Sequence, residues 1–349
     1  MDTQKIPIKK ILCRILCFLL ITVFLLVILI FGAMFVICKG PSETAAGIFV
    51  RSVRETSAIY FLADIFFSEE EIAEFDKKAD VAFEDTDTSK IIIQTSDKNK
   101  TDEPAADPWG HIDADGDGLL YEEIHGSTYT GYMLTVLDPS RVVLGCNPNS
   151  GKGYTVQEYV EMNDAVAGIN GGGFADENGQ GDGSQPDTAY VHNGEVYFEG
   201  LGVGRGFIGI DKDGILHVGI DSIEAVRKNN IMEGTGFGPV LVVNGTIVDE
   251  EVLQSGLNPR TAIGQRSDGA ILLLVVDGRQ PNSLGASYTD LAEIMYRFGA
   301  VNACNLDGGS STLMWYNGEY VNNCASVIGI RTIPTSFVVL KKEAEHDAS

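Results

Sequence analysis

The sequence predicts an α+β protein: a β-rich domain of hairpins and mixed sheet with a few helices, preceded by one N-terminal transmembrane helix. Three observations carry this. Residues 15–38 hold no charge, five Asn-Gly or Asp-Gly dipeptides each divide two apolar runs beyond residue 110, and two capped helical stretches interrupt those runs.

From Ile15 to Cys38 the chain is almost wholly Leu, Ile, Val and Phe. Its 24 residues span about 36 Å as a helix, more than the roughly 30 Å hydrocarbon core of a bilayer. A buried core helix would keep a polar face, which this run lacks. A signal peptide has an apolar region of only about 7–15 residues ending at a small-x-small site. This run is longer, and Phe35-Val36-Ile37-Cys38 lacks the small residue that a lipoprotein signal places before its cysteine. An uncleaved anchor in the cytoplasmic membrane through residues 15–38 is therefore expected. Lys5, Lys9, Lys10 and Arg14 precede it, and only Lys39 follows before Glu43. The positive-inside tendency then puts the N-terminus in the cytoplasm and the remainder outside, as a single-pass cell-membrane protein.

The expected organisation is a cytoplasmic tip and anchor over 1–40, juxtamembrane helices and polar linker over 41–108, a β-rich domain over 109–343, and a tail over 344–349. Residues 42–80 read as helical, with Phe49, Val53, Ile59, Leu62, Ile65 and Phe66 as an apolar stripe. Ser68 followed by three glutamates opens a second short helix. Residues 84–108 are polar, with Pro104 and Pro108, as in a linker.

The formal net charge is −24, and the first 38 residues hold four bases and one acid, leaving 21 bases against 48 acids, or −27, in the rest. Such a domain repels nucleic acid as a whole, so no nucleic-acid partner is expected. Any arginine that holds an anion must act locally. Cys146, Cys304 and Cys324 lie beyond the anchor, so at most one disulfide forms among them, and whether Cys304 and Cys324 pair is left open.

The stretches VHNGEVYF, GIDKDGILHV, VLVVNGTIV, RSDGAILLLVV and MWYNGEYV are hairpin signals, because a type I′ turn needs positive φ at both central residues. Thr155-Val-Gln-Glu158 is a capping box that opens one helix. Residues 287–298 form the other, with Leu291, Ile294, Met295 and Phe298 on one face and Gly299 as its stop.

Asp113, Asp115 and Asp117 occupy positions 1, 3 and 5 of a calcium-type loop with Gly118 at position 6, but position 12, where a bidentate acid belongs, is Ile124. The favoured reading is an acidic turn entering a strand, with calcium there only a weak site and no other cofactor. His residues stand singly, without HExxH or paired cysteines, which argues against zinc. No Gly-x-Ser-x-Gly elbow occurs, and neither Ser310 nor Ser311 has a base that can be nominated.

What remains is a set of polar residues at strand ends, each beside glycine or proline. AGINGGGF supplies Asn170, Gly171 and Gly172; NPRTAIG supplies Arg260 and Thr261; ILLLVVDGRQP ends in Asp277 and Arg279. CNLDGGSS carries Asn305, Asp307, Gly308, Gly309, Ser310 and Ser311, and GIRTIP carries Arg331. Glycine lets backbone approach a ligand closely. Carboxylates beside arginines in an acidic domain suit a substrate with hydroxyls and an anionic group.

NGGGF, NPRTAIG, VVDGRQP and NLDGGSSTL, in this order and over roughly residues 125–340, resemble the phosphodiester glycosidase family, whose bacterial members are often labelled exopolysaccharide biosynthesis proteins. The tethered architecture is similar to membrane-anchored forms in Gram-positive bacteria. The resemblance implies hydrolysis of the sugar–phosphate bond of a sugar-1-phosphodiester, from a cell-envelope glycan or exopolysaccharide. Such a bond breaks through an oxocarbenium-like transition state, usually served by two carboxylates. Asp307 and Asp277 are the expected pair, with Arg260, Arg279 and Arg331 on the phosphate, since the planar guanidinium fork binds phosphate in a bidentate manner. A non-catalytic envelope protein that binds or assembles polysaccharide is the alternative.

Overall fold

The computed structural model describes residues 8–56, 59–75, 84–93, 109–148, 151–176, 181–198, 206–326 and 329–342. The remainder of the expected polar linker with Pro104 and Pro108, the end of the helical stretch at 76–80 and the tail at 344–349 lie outside them.

The uncharged run forms α1 (Ile8–Lys39), long and apolar enough to cross a membrane by length and composition. The stripe read across residues 42–80 is not one surface. It breaks into α2 (Glu43–Arg54), α3 (Leu62–Phe66) and α4 (Glu69–Phe75). Val53 and Phe66 are buried, whereas Ile59 and Ile65 are exposed, because the helical phase of α2 ends at Arg54 and a new one starts at Leu62. Cys38 of α1 packs with Val50, Phe66 and Ile72 of these helices in one small core. The start of the polar linker is docked rather than free. Ile91 is buried, and Ile92 N–H donates to the Ser267 carbonyl at 2.8 Å.

Beyond residue 109 three antiparallel sheets share one core. The largest holds, in spatial order, β1 (Leu119–His125), β2 (Thr130–Val136), β13 (Ile271–Val276), β12 (Arg260–Arg266), β14 (Ala300–Asn305), β10 (Val240–Val243) and β11 (Thr246–Ile247). A second holds β16 (Glu319–Tyr320), β15 (Met314–Tyr316), β4 (Ala165–Asn170), β17 (Thr335–Leu340) and β3 (Val142–Cys146). The third holds β6 (Glu195–Tyr197), β5 (Tyr190–His192), β9 (Ile231–Phe237), β7 (Gly206–Asp211) and β8 (Leu216–Ile220). Leu134, Leu273 and Ile263 of the first sheet meet Ile169 and Phe337 of the second and Ile208 and Leu216 of the third.

The outer face of the first sheet is covered by α7 (Tyr288–Arg297), whose Leu291, Ile294 and Met295 pack on Leu272, Leu274 and Ala303. With both faces covered, every residue of β13 is buried, which explains its unbroken apolar run. Each such side chain contributes about 1.5–3 kcal/mol by burial. The second sheet carries α5 (Val156–Met162), opened by the expected Thr155–Glu158 capping box. The third carries α6 (Ile223–Lys228), a helix without a strong sequence signal.

All five hairpins form. The Asn-Gly turns are two-residue loops with positive φ at both positions: Asn193 and Gly194 at 51° and 76°, Asn244 and Gly245 at 52° and 80°, Asn317 and Gly318 at 53° and 80°. The Asp-Gly pairs behave differently. They sit in four-residue loops in which only Gly214 and Gly269 have positive φ. There the acids fold back on the backbone, as when Asp211 Oδ1 accepts from the N–H groups of Asp213 and Ile215.

The acidic turn enters β1 rather than a helix. Asp113 accepts from the N–H groups of Gly116 and Gly118, and Asp117 from that of Leu119. Carboxylate oxygens of Asp113, Asp115 and Asp117 lie within 4.8 Å of one another, near enough to share a cation. Position 12, Ile124, is buried in the sheet and contributes no ligand. The cysteines are free thiols, including Cys304 and Cys324.

Candidate active site

Register places the predicted residues at one edge of the large sheet. Arg260 pairs with Val276 and Ala262 with Asn305, so the start of β12 lies between the ends of β13 and β14. Asp277 and Asp307 leave those two ends on opposite sides of β12, roughly two strand spacings, or about 10 Å, apart in backbone. The end of β4 meets this edge from the second sheet, because Asp307 N–H donates to the Gly171 carbonyl at 3.1 Å.

Asn170 is the joint between the sheets. It is wholly buried; its Nδ2 donates to the Asp307 carbonyl at 2.6 Å, and its Oδ1 accepts from Thr261 Oγ1 at 2.7 Å and from Leu313 N–H at 3.2 Å. Asn170 and Thr261 therefore hold the Asp307 turn without facing a ligand. Gly171 and Gly172 are also buried, and their lack of side chains serves packing. A Cβ on Gly172 would lie 2.1 Å from Thr235 Oγ1, in the third sheet. The expected contact of these two glycines with substrate is thus replaced by contact with threonines.

Asp307 is partly buried, and the turn after it, Gly308 to Ser310, is partly exposed. Gly308 N–H donates to Asp307 Oδ1 at 3.0 Å. Burial pushes the Asp307 carboxyl up to about 6; the charge of Asp187 adds to this, while the Ser311 hydroxyl, Gly308 N–H and Arg331 oppose it. Gly309 has φ of 61°, and a Cβ there would sit 3.3 Å from Arg279 Nη2. Glycine suits this point for its left-handed backbone, and the missing side chain leaves the guanidinium room.

The three arginines are not equivalent. Arg260 is buried behind the site: its Nη2 donates to Glu55 at 2.6 Å and to the Gly256 carbonyl at 2.8 Å, its Nε to the Ala286 carbonyl at 3.1 Å, and its guanidinium lies 4.1 Å over the Tyr288 ring. Arg331 forms a bidentate pair with Asp176 at 2.6 and 2.8 Å, donates to Ser310 Oγ at 3.1 Å, and lies 4.9 Å over Phe174. Burial alone would raise Asp176, but the Arg331 bond and Gly181 N–H hold it below the usual carboxylate range. Arg279 is the exposed one. Its Nε and Nη2 are fixed by Asn258 Oδ1 and Thr56 Oγ1, which leaves Nη1 toward the Gly309 turn. Although the side chain reaches solvent, protein packed around the guanidinium desolvates it, and with the charge of Arg260 this pushes Arg279 down to about 10, still a cation at neutral pH.

Asp277 differs from expectation. It is 2% exposed, and its carboxylate accepts from Asn323 N–H at 3.0 Å, Asn323 Nδ2 at 3.1 Å and Asn322 Nδ2 at 3.3 Å. A carboxylate so occupied and so buried anchors the loop after β16 and is shielded from a substrate. The acid that acts electrostatically on Asp307 is Asp187, partly buried just before β5. Asn305 donates from Nδ2 to the Gly238 carbonyl at 2.8 Å, while its Oδ1 is buried without a hydrogen-bond partner.

Sequence reading missed Asp176, Asp187, Glu55 and Thr56. The first two lie in FADENGQGDGSQPD, where acids and glycines offer no periodicity to single one out. The other two lie 205 and 223 positions before the arginines they meet and join the site only through tertiary contact.

Fold and site together define a three-sheet α+β domain with a carboxylate of raised proton affinity set against an exposed arginine. The chain belongs to the phosphodiester glycosidase family, whose profile matches residues 163–340. Bovine N-acetylglucosamine-1-phosphodiester alpha-N-acetylglucosaminidase is 30% identical over 182 residues, covering 47% of this chain and 33% of that protein. An SPbeta prophage-derived uncharacterized protein, YomE, of Bacillus subtilis is 40% identical over 78 residues, covering 22% of this chain and 12% of that one. The chain thus spans a third or less of these relatives' length. The structure of the zebrafish N-acetylglucosamine-1-phosphodiester alpha-N-acetylglucosaminidase catalytic domain, described as auto-inhibited by its pro-peptide, matches with a TM-score of 0.53 at 22% identity, over 64% of this chain and 82% of that one. That likeness concerns the fold.

Proposed function

We propose that this protein hydrolyses the sugar–phosphate bond of a sugar-1-phosphodiester from an envelope glycan, outside a cell membrane to which α1 anchors it. The observation that carries this reading is the Asp307 carboxyl, pushed up to about 6, in a turn whose Gly309 meets the Arg279 guanidinium. Arg279 receives the phosphate through Nη1. Asp307, ionised, acts at the sugar carbon on the face opposite the leaving phosphate, directly or through water. Asp187 raises its basicity. Ser310, partly exposed in the same turn, takes a sugar hydroxyl. A phosphodiester is a fair leaving group, so the arginine serves the departing oxygen and no strong general acid is required.

The names of the relatives make N-acetylglucosamine the first sugar to try. The detergent-solubilised full chain, given the methyl phosphodiester of N-acetylglucosamine-1-phosphate, should release reducing sugar, and Asp307→Asn should not. Tight binding of that ester without release would instead support the polysaccharide-binding role. Protease added to right-side-out membrane vesicles should digest the domain; full protection would overturn the orientation.

A further inference from the structure

We propose that residues 59–66 seat in the outer interface of the bilayer crossed by α1, and that this seating presents the Asp307 site to sugar phosphodiesters whose second ester is a membrane-embedded lipid. The inference rests on the function and anchoring proposed above and narrows the substrate class.

Contact with α1 sets the depth of this segment. The Phe31 and Phe66 rings lie 5.3 Å apart. Phe31 precedes Cys38, the last residue of the uncharged run, by seven positions, or about 10 Å along the helix. A span whose uncharged part is slightly longer than the hydrocarbon core places Phe31 below the outer hydrocarbon boundary. Phe66 is therefore held at membrane depth by contact with the span. Lys39 marks the interface: its Nζ lies 4.4 Å over the Phe67 ring and 3.2 Å from Glu71.

The surface beside that contact is exposed and apolar. Ile59, Tyr60, Phe61 and Ile65 are 38%, 49%, 49% and 51% exposed, and Asp64 is the one charge between residues 59 and 67. In water this would be an unexplained apolar patch. At the headgroup boundary it is the composition expected of an interfacial segment, with aromatic rings at that level. Continuity with α1 identifies lipid as what covers it.

The patch also lies within reach of the site. Ile59 N–H donates to the Thr56 carbonyl at 3.1 Å, and Thr56 Oγ1 accepts from Arg279 at 2.8 Å. Three residues reach at most about 11 Å, so the phosphate-binding arginine stands at headgroup height above the patch. A phosphate esterified to a lipid lies at that height. In the reaction the sugar C1–O bond breaks, the oxygen of water joins C1, and one water proton passes to the phosphate, giving free sugar and a lipid phosphate monoester.

Full-length protein in phosphatidylglycerol–phosphatidylethanolamine vesicles tests this. In Phe61→Trp, the added fluorescence should be quenched by lipids brominated near the headgroup; emission quenched only by aqueous iodide would overturn the seating. Phe61→Ser with Ile65→Ser should leave hydrolysis of the soluble methyl phosphodiester unchanged and slow hydrolysis of a hexadecyl phosphodiester in the same vesicles at least tenfold. Equal rates on both esters, before and after substitution, would overturn the substrate class. Should wild-type protein cleave neither ester, the hydrolase reading fails with the substrate class, and quenching still decides the seating. Loss of quenching only when a protein partner is added would assign the patch to that partner.

Discussion

Glu55 Oε2 accepts from Arg260 Nη2 at 2.6 Å, an ion pair between residues 205 positions apart in the chain. It closes a set of contacts in which Glu55 also accepts from Asn258 Nδ2 at 2.8 Å, and the adjacent Thr56 accepts from Arg279. The segment that follows α1 therefore forms one wall of the site. Arg260, buried behind that wall, positions the segment and is not the phosphate ligand that its motif suggests.

Glu55→Gln keeps the shape of this contact and removes its charge. Taking one partner from a fully buried pair costs about 3–5 kcal/mol. The Glu55 side chain is 25% exposed, so a loss of roughly 1–3 kcal/mol is expected after screening. For a domain of this size that is a fall in Tm of several degrees, readable by calorimetry. An unchanged Tm would show that Arg260 is neutralised by other means.

The Asp307 carboxyl should appear in the pH–rate profile. If the ionised form acts at the sugar carbon, kcat/KM rises through about pH 6, the value set by burial and Asp187. An anionic substrate disfavours ionisation further, so the corresponding limb in kcat should lie at higher pH. Asp187→Asn removes one of the raising charges and should move the kcat/KM limb toward acid. A rate that falls through pH 6 would make Asp307 an acid instead.

The same group sets a stability trend. Folded Asp307 holds its proton more tightly than the unfolded chain, whose ordinary value is 3.8. Between about pH 4 and 6 folding thus takes up a proton, and stability declines as pH rises. Below pH 4 both states are protonated and the penalty vanishes. Asp307→Asn should match wild type at pH 4 and exceed it in Tm by a few degrees at pH 7, from roughly 1–3 kcal/mol. Such a trade is expected where a site holds an acid against its preference.

Arg279→Ala should raise KM for a charged phosphodiester and lower kcat, since charge grows on the departing phosphate. A neutral aryl glycoside, where turned over, should barely register the change. Steady-state kinetics on both substrates separates these outcomes, and equal losses on the two would remove Arg279 from phosphate recognition.

Much of this architecture is legible in the sequence because it is local. Asn-Gly turns, the Thr155 capping box and the uncharged run of α1 each require only neighbouring residues to act. The strand-end motifs were legible as a group, since Asn170, Thr261, Asn305 and Asp307 do converge. Roles within the group were not. Whether an arginine faces a ligand or a carboxylate depends on what arrives from elsewhere, and Glu55 and Asp176 arrive from distant, unpatterned stretches. The division of Gly171 and Gly172 from Gly309 has the same origin: the first two meet threonines of other strands, and the last meets Arg279.

Asp277 and Asp307 look alike in sequence, each an acid followed by glycine at the end of an apolar strand. The structure separates them by what their oxygens accept. Asp277 takes three donors from Asn322 and Asn323, and burial together with its charge pushes the Tyr132 hydroxyl up to about 12. Asp277→Asn puts an NH₂ group against those donors, so the loop at 322–326 should loosen. Leaving buried donors unsatisfied costs about 1–3 kcal/mol each. The expected result is a Tm several degrees lower and kcat within about tenfold of wild type at temperatures where the variant is folded. Asp307→Asn should show the reverse, with the fold kept and kcat reduced about a hundredfold or more, the scale of acid–base catalysis. Measuring both variants by calorimetry and by sugar release decides the matter. A folded Asp277→Asn protein with a hundredfold loss in kcat would restore Asp277 to a catalytic pair with Asp307.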